Sequence, residues 1–478
     1  MKTLDTSRWK TSISGYFPFI IYFVYFSASL YLLYIARNNQ LMGMPVEGTD
    51  QLSMIQAAVK IYEGHWLPEG YKYSPIYTTF LSILVLLSKG DLIIMRILQA
   101  AVCSFIPVMI YKLTMKMDFD RETAQISSLV YLFYGPAMLI SLDFLMAGPL
   151  ALCSIMFVYF FICSLKEDSH IYCLVTGIFG GICILGRENF IPVVIVSSSI
   201  FIIARYKIKL LQYKKKIALY AFGVLIAVSP VSTYNLVKYG NPAILPGNFS
   251  NVMKFYHGKP SNKVDSYSLP LRAIEKVPSQ AYKFISSYEM PNSLSFYAHR
   301  DIIDFLWVFI IPFNLIILLA VAGTLLYRQN YYVVTTAFFC VLYGGSMLFF
   351  EMFYRFRIPA VPVLVVLSGI GIKGLLENKS RNLRIALFFP MFAMFLLTYT
   401  APDKLRTKEE RKSVVAVLIM NGYYYKAEKS IDKLLEESVD SRMQIQLLIN
   451  ALNNDGQNVR AREIESKYGS MLFENSRN

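Results

Sequence analysis

Apolar runs long enough to cross a bilayer constrain this chain more than any other feature. Ile13 to Ile35, Leu92 to Leu113, Phe144 to Leu165, Ile217 to Val237 and Ile303 to Tyr327 each reach or approach the roughly 20 residues a spanning helix needs. Shorter runs follow the same pattern at Thr123 to Leu142, Ile171 to Gly186, Asn189 to Ala204, Tyr331 to Phe350, Ile358 to Ile372 and Ile385 to Thr400. Hydrocarbon offers no partner for a free backbone amide, so runs of this kind fold as helices. The expected class is an all-α polytopic membrane protein, and a composition of 55% hydrophobic residues agrees. The run from Ile13 has no small-residue cleavage site before the next polar stretch, so it reads as a first span instead of a removed signal.

The formal charge of +15 does not call for a nucleic-acid partner, because the cations fall in short loops between runs. Lys112 to Arg121, Lys166, the cluster from Arg205 to Lys216, Arg328, and Lys373 to Arg384 occupy every second loop, as the positive-inside rule expects of cytoplasmic loops. Lys2, Arg8 and Lys10 place the N-terminus on the same side. The segment 75–87 is too short to span comfortably. If it does not cross, the count is about eleven spans, or twelve if it does. The chain then sits in a cytoplasmic membrane with its N-terminus inside and its C-terminus outside. Six cysteines within apolar runs and four scattered histidines show no metal-ligand spacing, so a divalent metal is not indicated.

Residues 1–401 form the expected membrane domain, with a first outer loop at 37–75 and a large outer loop at 238–300. The tail, 402–478, changes to charged residues with apolar positions at helical spacing, and reads as about four helices turning at Asn421-Gly422 and at Asn454 to Gly456. Gly422, Tyr423 and Ala427 resemble a tetratricopeptide pattern, which suits a protein partner or contact with the membrane domain.

On this parity the polar groups of the outer face gather at one water boundary. Pro45 to Gly64 is the first such stretch, and from Asp50 the residues Leu52, Ile55, Val59 and Tyr62 recur at helical spacing. Asp50 therefore stands at the start of a short amphipathic helix on the membrane surface, where its bland role is a helix cap. Asp143, Arg187, Glu188, Glu351, Arg355 and Arg357 also lie at that boundary, and ionisable groups at membrane depth are costly enough to mark function. Glu47, Lys254 and His257 lie in the outer loops. The bland role of the late arginines is interfacial anchoring.

Several stretches together resemble polytopic GT-C glycosyltransferases that use polyprenyl-phosphate sugars, such as protein O-mannosyltransferases and the aminoarabinose transferases of lipid A. The stretches are Asp50 to Gly64, Tyr73-Ser74-Pro75-Ile76-Tyr77, Arg96, Leu185 to Asn189, Ser229 to Gly258, and Arg355 to Leu364. In their order they cover roughly Tyr16 to Thr400. The resemblance implies a GT-C bundle of 11–12 helices, a polyprenyl-phosphate-linked sugar as donor, and a glycan, lipid or protein acceptor. It implies Asp50 as general base with inversion at the anomeric carbon, and Arg187, Arg355 and Arg357 as donor-phosphate ligands. Glu47, Glu188, Lys254, His257 and Glu351 are further site candidates. Where many relatives carry an acid before Pro-Leu, this chain has Ala147-Gly148-Pro149-Leu150, and Asp143, one helical turn earlier, is the candidate second acid. A lipid or polysaccharide flippase is the rival class. Such transporters often show internal repeats and midplane sites, whereas this chain shows no repeat and gathers its polar groups at one face.

Overall fold

In the computed structural model of this protein, the residues described are 6–36, 50–65, 74–167, 169–197, 214–240, 268–291, 295–350, 352–377, 381–399, 408–420 and 422–473. Among them every regular element is a helix. The membrane part comprises α1 (Thr6–Ala36), α2 (Asp50–Tyr62), α3 (Pro75–Ser88), α4 (Leu92–Cys103), α5 (Phe105–Lys116), α6 (Arg121–Leu132), α7 (Gly135–Leu142), α8 (Ala147–Lys166) and α9 (His170–Gly186). It continues with α10 (Lys214–Tyr239), α11 (Ser268–Ile285), α12 (Phe296–Ile302), α13 (Phe313–Leu326), α14 (Tyr331–Met347), the single turn α15 (Tyr354–Arg357), α16 (Val361–Glu377) and α17 (Arg381–Thr398). Six helices among the described residues are long and apolar enough to cross a membrane, a bent pair makes a seventh, and four more are apolar but shorter. One of the short ones is α3, whose 14 residues rise only about 21 Å against a hydrocarbon core of about 30 Å. Segment 75–87 thus forms a helix too short to span upright.

Local chemistry sets several helix starts. Ser74 accepts from the Tyr77 amide with Pro75 in the first turn, Asp91 from Ile93 and Ile94, and Asn330 from Tyr332 and Val333. Each supplies an oxygen to amides that have no partner within the helix.

Two expected spans are interrupted. The run Thr123 to Leu142 was expected to be one helix, but α6 and α7 meet at a 64° bend. Pro136 in the first turn of α7 has no amide to donate to the Leu132 carbonyl and its ring crowds that carbonyl, so the ladder of α6 cannot continue. The run from Ile303 likewise opens as a 3₁₀ turn, Asp304–Val308, has no regular structure through 309–312, and becomes α13 after Pro312. The two interruptions touch: the Ile311 amide donates to the Phe133 carbonyl at 3.4 Å. Each break thereby helps satisfy backbone groups that lipid could not.

The bundle has two chemically distinct ends. At one, Lys116 pairs with Glu167, Lys166 with Asp118, and Lys373 with Glu122 and Glu377, while Asn330 Nδ2 donates to the Met117 carbonyl at 3.3 Å. These belong to four of the loops that the charge pattern assigns to one side; 205–213 lies outside the described residues. The 20-residue α8 runs from that end, at Lys166, back to the turn carrying Asp143, about 30 Å away.

Helices α9 and α10 cross at contact distance. A Cβ on Gly177 would sit 2.0 Å from the Tyr220 carbonyl oxygen, and one on Gly223 would sit 2.2 Å from that of Leu174. Small residues at such crossings let two backbones approach in lipid.

Among the described residues the tail contains α18 (Lys408–Met420), α19 (Tyr424–Glu436), α20 (Arg442–Asn454) and α21 (Asn458–Phe473). Two of its turns use glycine at positive φ, Gly422 at 73° and Gly456 at 75°. Its core, including Val415, Ile431, Leu448 and Ile464, is separate from that of the membrane part, and Ile302 of α12 packs against it.

Candidate active site

The site is built on the first turn of α2. Asp50, its first residue, places Oδ2 2.7 Å from Nη1 of Arg355 in the α15 turn. The Asp50 side chain remains 38% exposed and that of Arg355 13%, so the pair stands at a boundary with one edge open. The next residue, Gln51, is buried and donates from Nε2 to Asp143 Oδ2 at 3.2 Å. The first residue of this helix turn is thus one candidate catalytic acid, and the second residue holds the other.

Asp143 is held on several sides. It lies in the turn between α7 and α8, its Oδ1 accepts from the Phe144 amide at 2.9 Å, and its carbonyl accepts from Gln99 Nε2 at 2.5 Å. Gln99 also donates to the Ser141 carbonyl and accepts from the Tyr77 hydroxyl. Arg96 is buried with its guanidinium 4.3 Å above the Phe144 ring. Burial pushes the Asp143 carboxyl above the ordinary carboxylate range, opposed by the Arg96 charge and the Gln51 hydrogen bond.

Arg187 stands just past the C-terminus of α9, its backbone extended at φ −155°. Its guanidinium lies 3.8 Å from the centre of the Phe356 ring, while that of Arg355 lies 5.2 Å from the same ring. Two cations therefore approach one aromatic ring beside Asp50, an arrangement suited to an incoming anion. Reciprocal hydrogen bonds between Asn189 and Ser346, each 3.1 Å, fix the turn that carries Arg187 and Glu188. Glu188 lines a cavity of about 710 Å³ whose other walls include Ile191, Val341, Leu348 and Phe350.

Arg357 is placed differently. Fully buried, it donates to the carbonyls of Phe284, Ser286 and Tyr288 at 3.2, 2.8 and 2.6 Å and pairs with Glu289 at 3.0 Å. Its guanidinium binds the segment 284–289 to the α15 turn. Glu289, which also accepts from the Tyr134 hydroxyl at 2.9 Å, was not singled out from the sequence. Gln51 and Gln99 were not either. The available signals were weak: a lone acid in SSYEMP, and an amide beside the candidate base.

Glu47, Lys254, His257 and Glu351 lie outside the described residues. Among the described residues no three His, Cys, Asp or Glu side chains gather as a metal site would. Of the cysteines, Cys103, Cys163, Cys173, Cys183 and Cys340 are buried and Cys153 partly so.

Residues 72–234, about a third of the chain, match the family model of dolichyl-phosphate-mannose-protein mannosyltransferases. Over this stretch the sequence is similar to that family, in line with the resemblance its motifs carry. The match covers α3 to α9 and α10 as far as residue 234, and with them Arg96, Asp143 and Arg187. Among solved structures, ArnT from Cupriavidus metallidurans bound to undecaprenyl phosphate aligns at 12% identity over 94% of this chain and 78% of that one, with a TM-score of 0.48. Its apo form aligns at 12% identity over 94% and 75%, with a TM-score of 0.47. No curated protein matches the sequence.

Proposed function

We propose that this chain is an integral-membrane glycosyltransferase that moves a sugar from a polyprenyl-phosphate carrier to an acceptor hydroxyl at the outer face of the membrane. The observation that carries the reading is the Asp50–Arg355 contact, which sets a carboxylate and a guanidinium against each other at a water boundary. Asp50 accepts the proton of the acceptor hydroxyl as its oxygen attacks the anomeric carbon. The bond to the carrier phosphate breaks on the opposite side of the ring, and configuration inverts. Charge growing on the departing phosphate is met by Arg355 and Arg187, whose planar forks suit phosphate oxygens. Asp143, held near Asp50 by Gln51, orients a sugar hydroxyl. The apolar cavity next to Glu188 suits the first isoprene units of the carrier. In this assignment Arg357 positions the turn and leaves the phosphate to the other two arginines.

The outer-face placement rests on the cation-rich loops gathering at the opposite end of α8 and α16, the end that the positive-inside rule assigns to the cytoplasm. The tail then lies outside, against Ile302 and beside the acceptor side of the membrane.

The test is transfer from a radiolabelled polyprenyl-phosphate sugar pool, in membranes holding wild-type protein or Asp50→Asn at equal, verified insertion. Loss of a general base lowers transfer by about a hundredfold or more. Undiminished transfer by the variant would overturn the assignment of Asp50. Absence of transfer by the wild type from any carrier would move the reading to a flippase, which the interrupted spans would also suit.

A further inference from the structure

A second recess opens on the far side of the α15 turn from Asp50. Residues two apart on a helix face away from each other: Arg355 reaches Asp50, and Arg357 reaches Glu289. Glu289 and Ser287 border a cavity of about 600 Å³ walled by Tyr297, Arg300, Asp301, Trp307 and Tyr399, within the range of small-molecule sites. Arg300 is stacked, its guanidinium 4.0 Å from the Trp307 ring centre and 5.0 Å from that of Tyr297. Trp307 is 55% exposed and Tyr399 51%.

Aromatic residues at this depth serve most often as interfacial anchors. Here they line a concavity together with a guanidinium and two carboxylates, groups that hydrocarbon would penalise. Flat aromatic faces beside carboxylates and a stacked guanidinium match the chemistry of a sugar, whose C–H face packs on a ring while its hydroxyls donate and accept at the edge.

We propose that this recess is a saccharide-binding subsite, which takes a sugar unit of the acceptor substrate. The proposal rests on the transferase reading for the second half of that statement only. The recess as a sugar site stands or falls by binding.

The chain has three tryptophans, Trp9, Trp66 and Trp307, so the full chain with Trp9→Phe and Trp66→Phe reports on the recess alone. Purified in a zwitterionic detergent that carries no sugar, it is titrated with mannobiose, chitobiose, maltose and, separately, inorganic phosphate. The expected result is a saturable change in Trp307 emission with at least one disaccharide, weakened about tenfold by Asp301→Asn or Arg300→Leu in a variant that elutes normally. A flat response to every disaccharide, or a response to phosphate alone, overturns the proposal.

The source of the sugar is settled by transfer kinetics. Trp307→Ala raising the KM for acceptor with kcat kept, and Trp307→Phe restoring it, supports an acceptor subsite. A rise in the KM for donor instead overturns the acceptor assignment. If the wild type transfers nothing, the transferase reading fails while the Trp307 titration still decides the recess.

Discussion

Arg355 and Asp50 are 305 positions apart in the chain, yet their side chains meet at 2.7 Å. The contact joins the first turn of a surface helix to the turn that opens a late span, and it gives the candidate base and the candidate phosphate ligand a common fate. If they act together, their substitutions will not multiply. Arg355→Gln should lower transfer by about 10²- to 10³-fold, the scale of removing one donor to a developing anion. Combined with Asp50→Asn it should cost much less than the product of the two single losses. Initial rates for the four proteins decide this, and simple multiplication would separate the two roles.

Breaking the Arg357–Glu289 pair should unfold more than it inactivates. Both side chains are almost wholly out of water, and loss of one partner from such a pair costs about 3–5 kcal/mol because the other charge is left uncompensated. Arg357→Met should therefore lower the midpoint of thermal unfolding in detergent markedly, and adding Glu289→Met should recover part of the loss. A double variant as unstable as the single one would count against the pair as the cause.

Acid should weaken the fold through His299. Its Nδ1 lies 2.7 Å from the Ser295 carbonyl, and burial pulls its pKa from 6.5 down to about 4. Above pH 6.5 the ring is neutral whether the chain is folded or not, so it contributes no slope. Between 6.5 and about 4 the unfolded chain takes up a proton that the folded chain refuses, so stability falls with pH by up to about 3 kcal/mol. Thermal midpoints measured across that window should lose this component of slope in His299→Phe. An unchanged slope would assign the acid sensitivity elsewhere.

The crossing of α9 and α10 leaves no room for a side chain at Gly177. Gly177→Val should destabilise by at least the 1–3 kcal/mol typical of overpacking, seen as lower yield of monodisperse protein and a lower thermal midpoint. An equal yield would mean that the two helices separate at little cost.

Most helices could be read from the sequence because hydrophobic periodicity and turn residues are local signals. Asp50 to Tyr62 came from the spacing of Leu52, Ile55 and Val59, and the tail turns came from Gly422 and Gly456. The bend after Leu132 was missed, although Gly135-Pro136 stood in view, because apolar content alone ran unbroken through it. Asp50 and Arg355 could each be picked out as an ion at a membrane boundary, but nothing local told that they meet. Nor could the sequence separate Arg355 from Arg357, two arginines in one turn. What distinguishes them is the backbone of Phe284 to Tyr288, which wraps Arg357 with carbonyls from 69 to 73 positions away. Gln51 and Gln99 escaped notice for the same reason: an amide acquires a role only when the fold supplies both of its partners.

The meeting of the two interrupted spans bears on how such a chain could change over time. The Phe133 carbonyl is freed by one break, and the Ile311 amide that reaches it is freed by the other. Straightening either helix alone would strand a polar group of its neighbour in a setting that does not forgive it. Descent should therefore keep or discard the two kinks together, and a relative that has lost the proline near one should have lost the irregular stretch at the other.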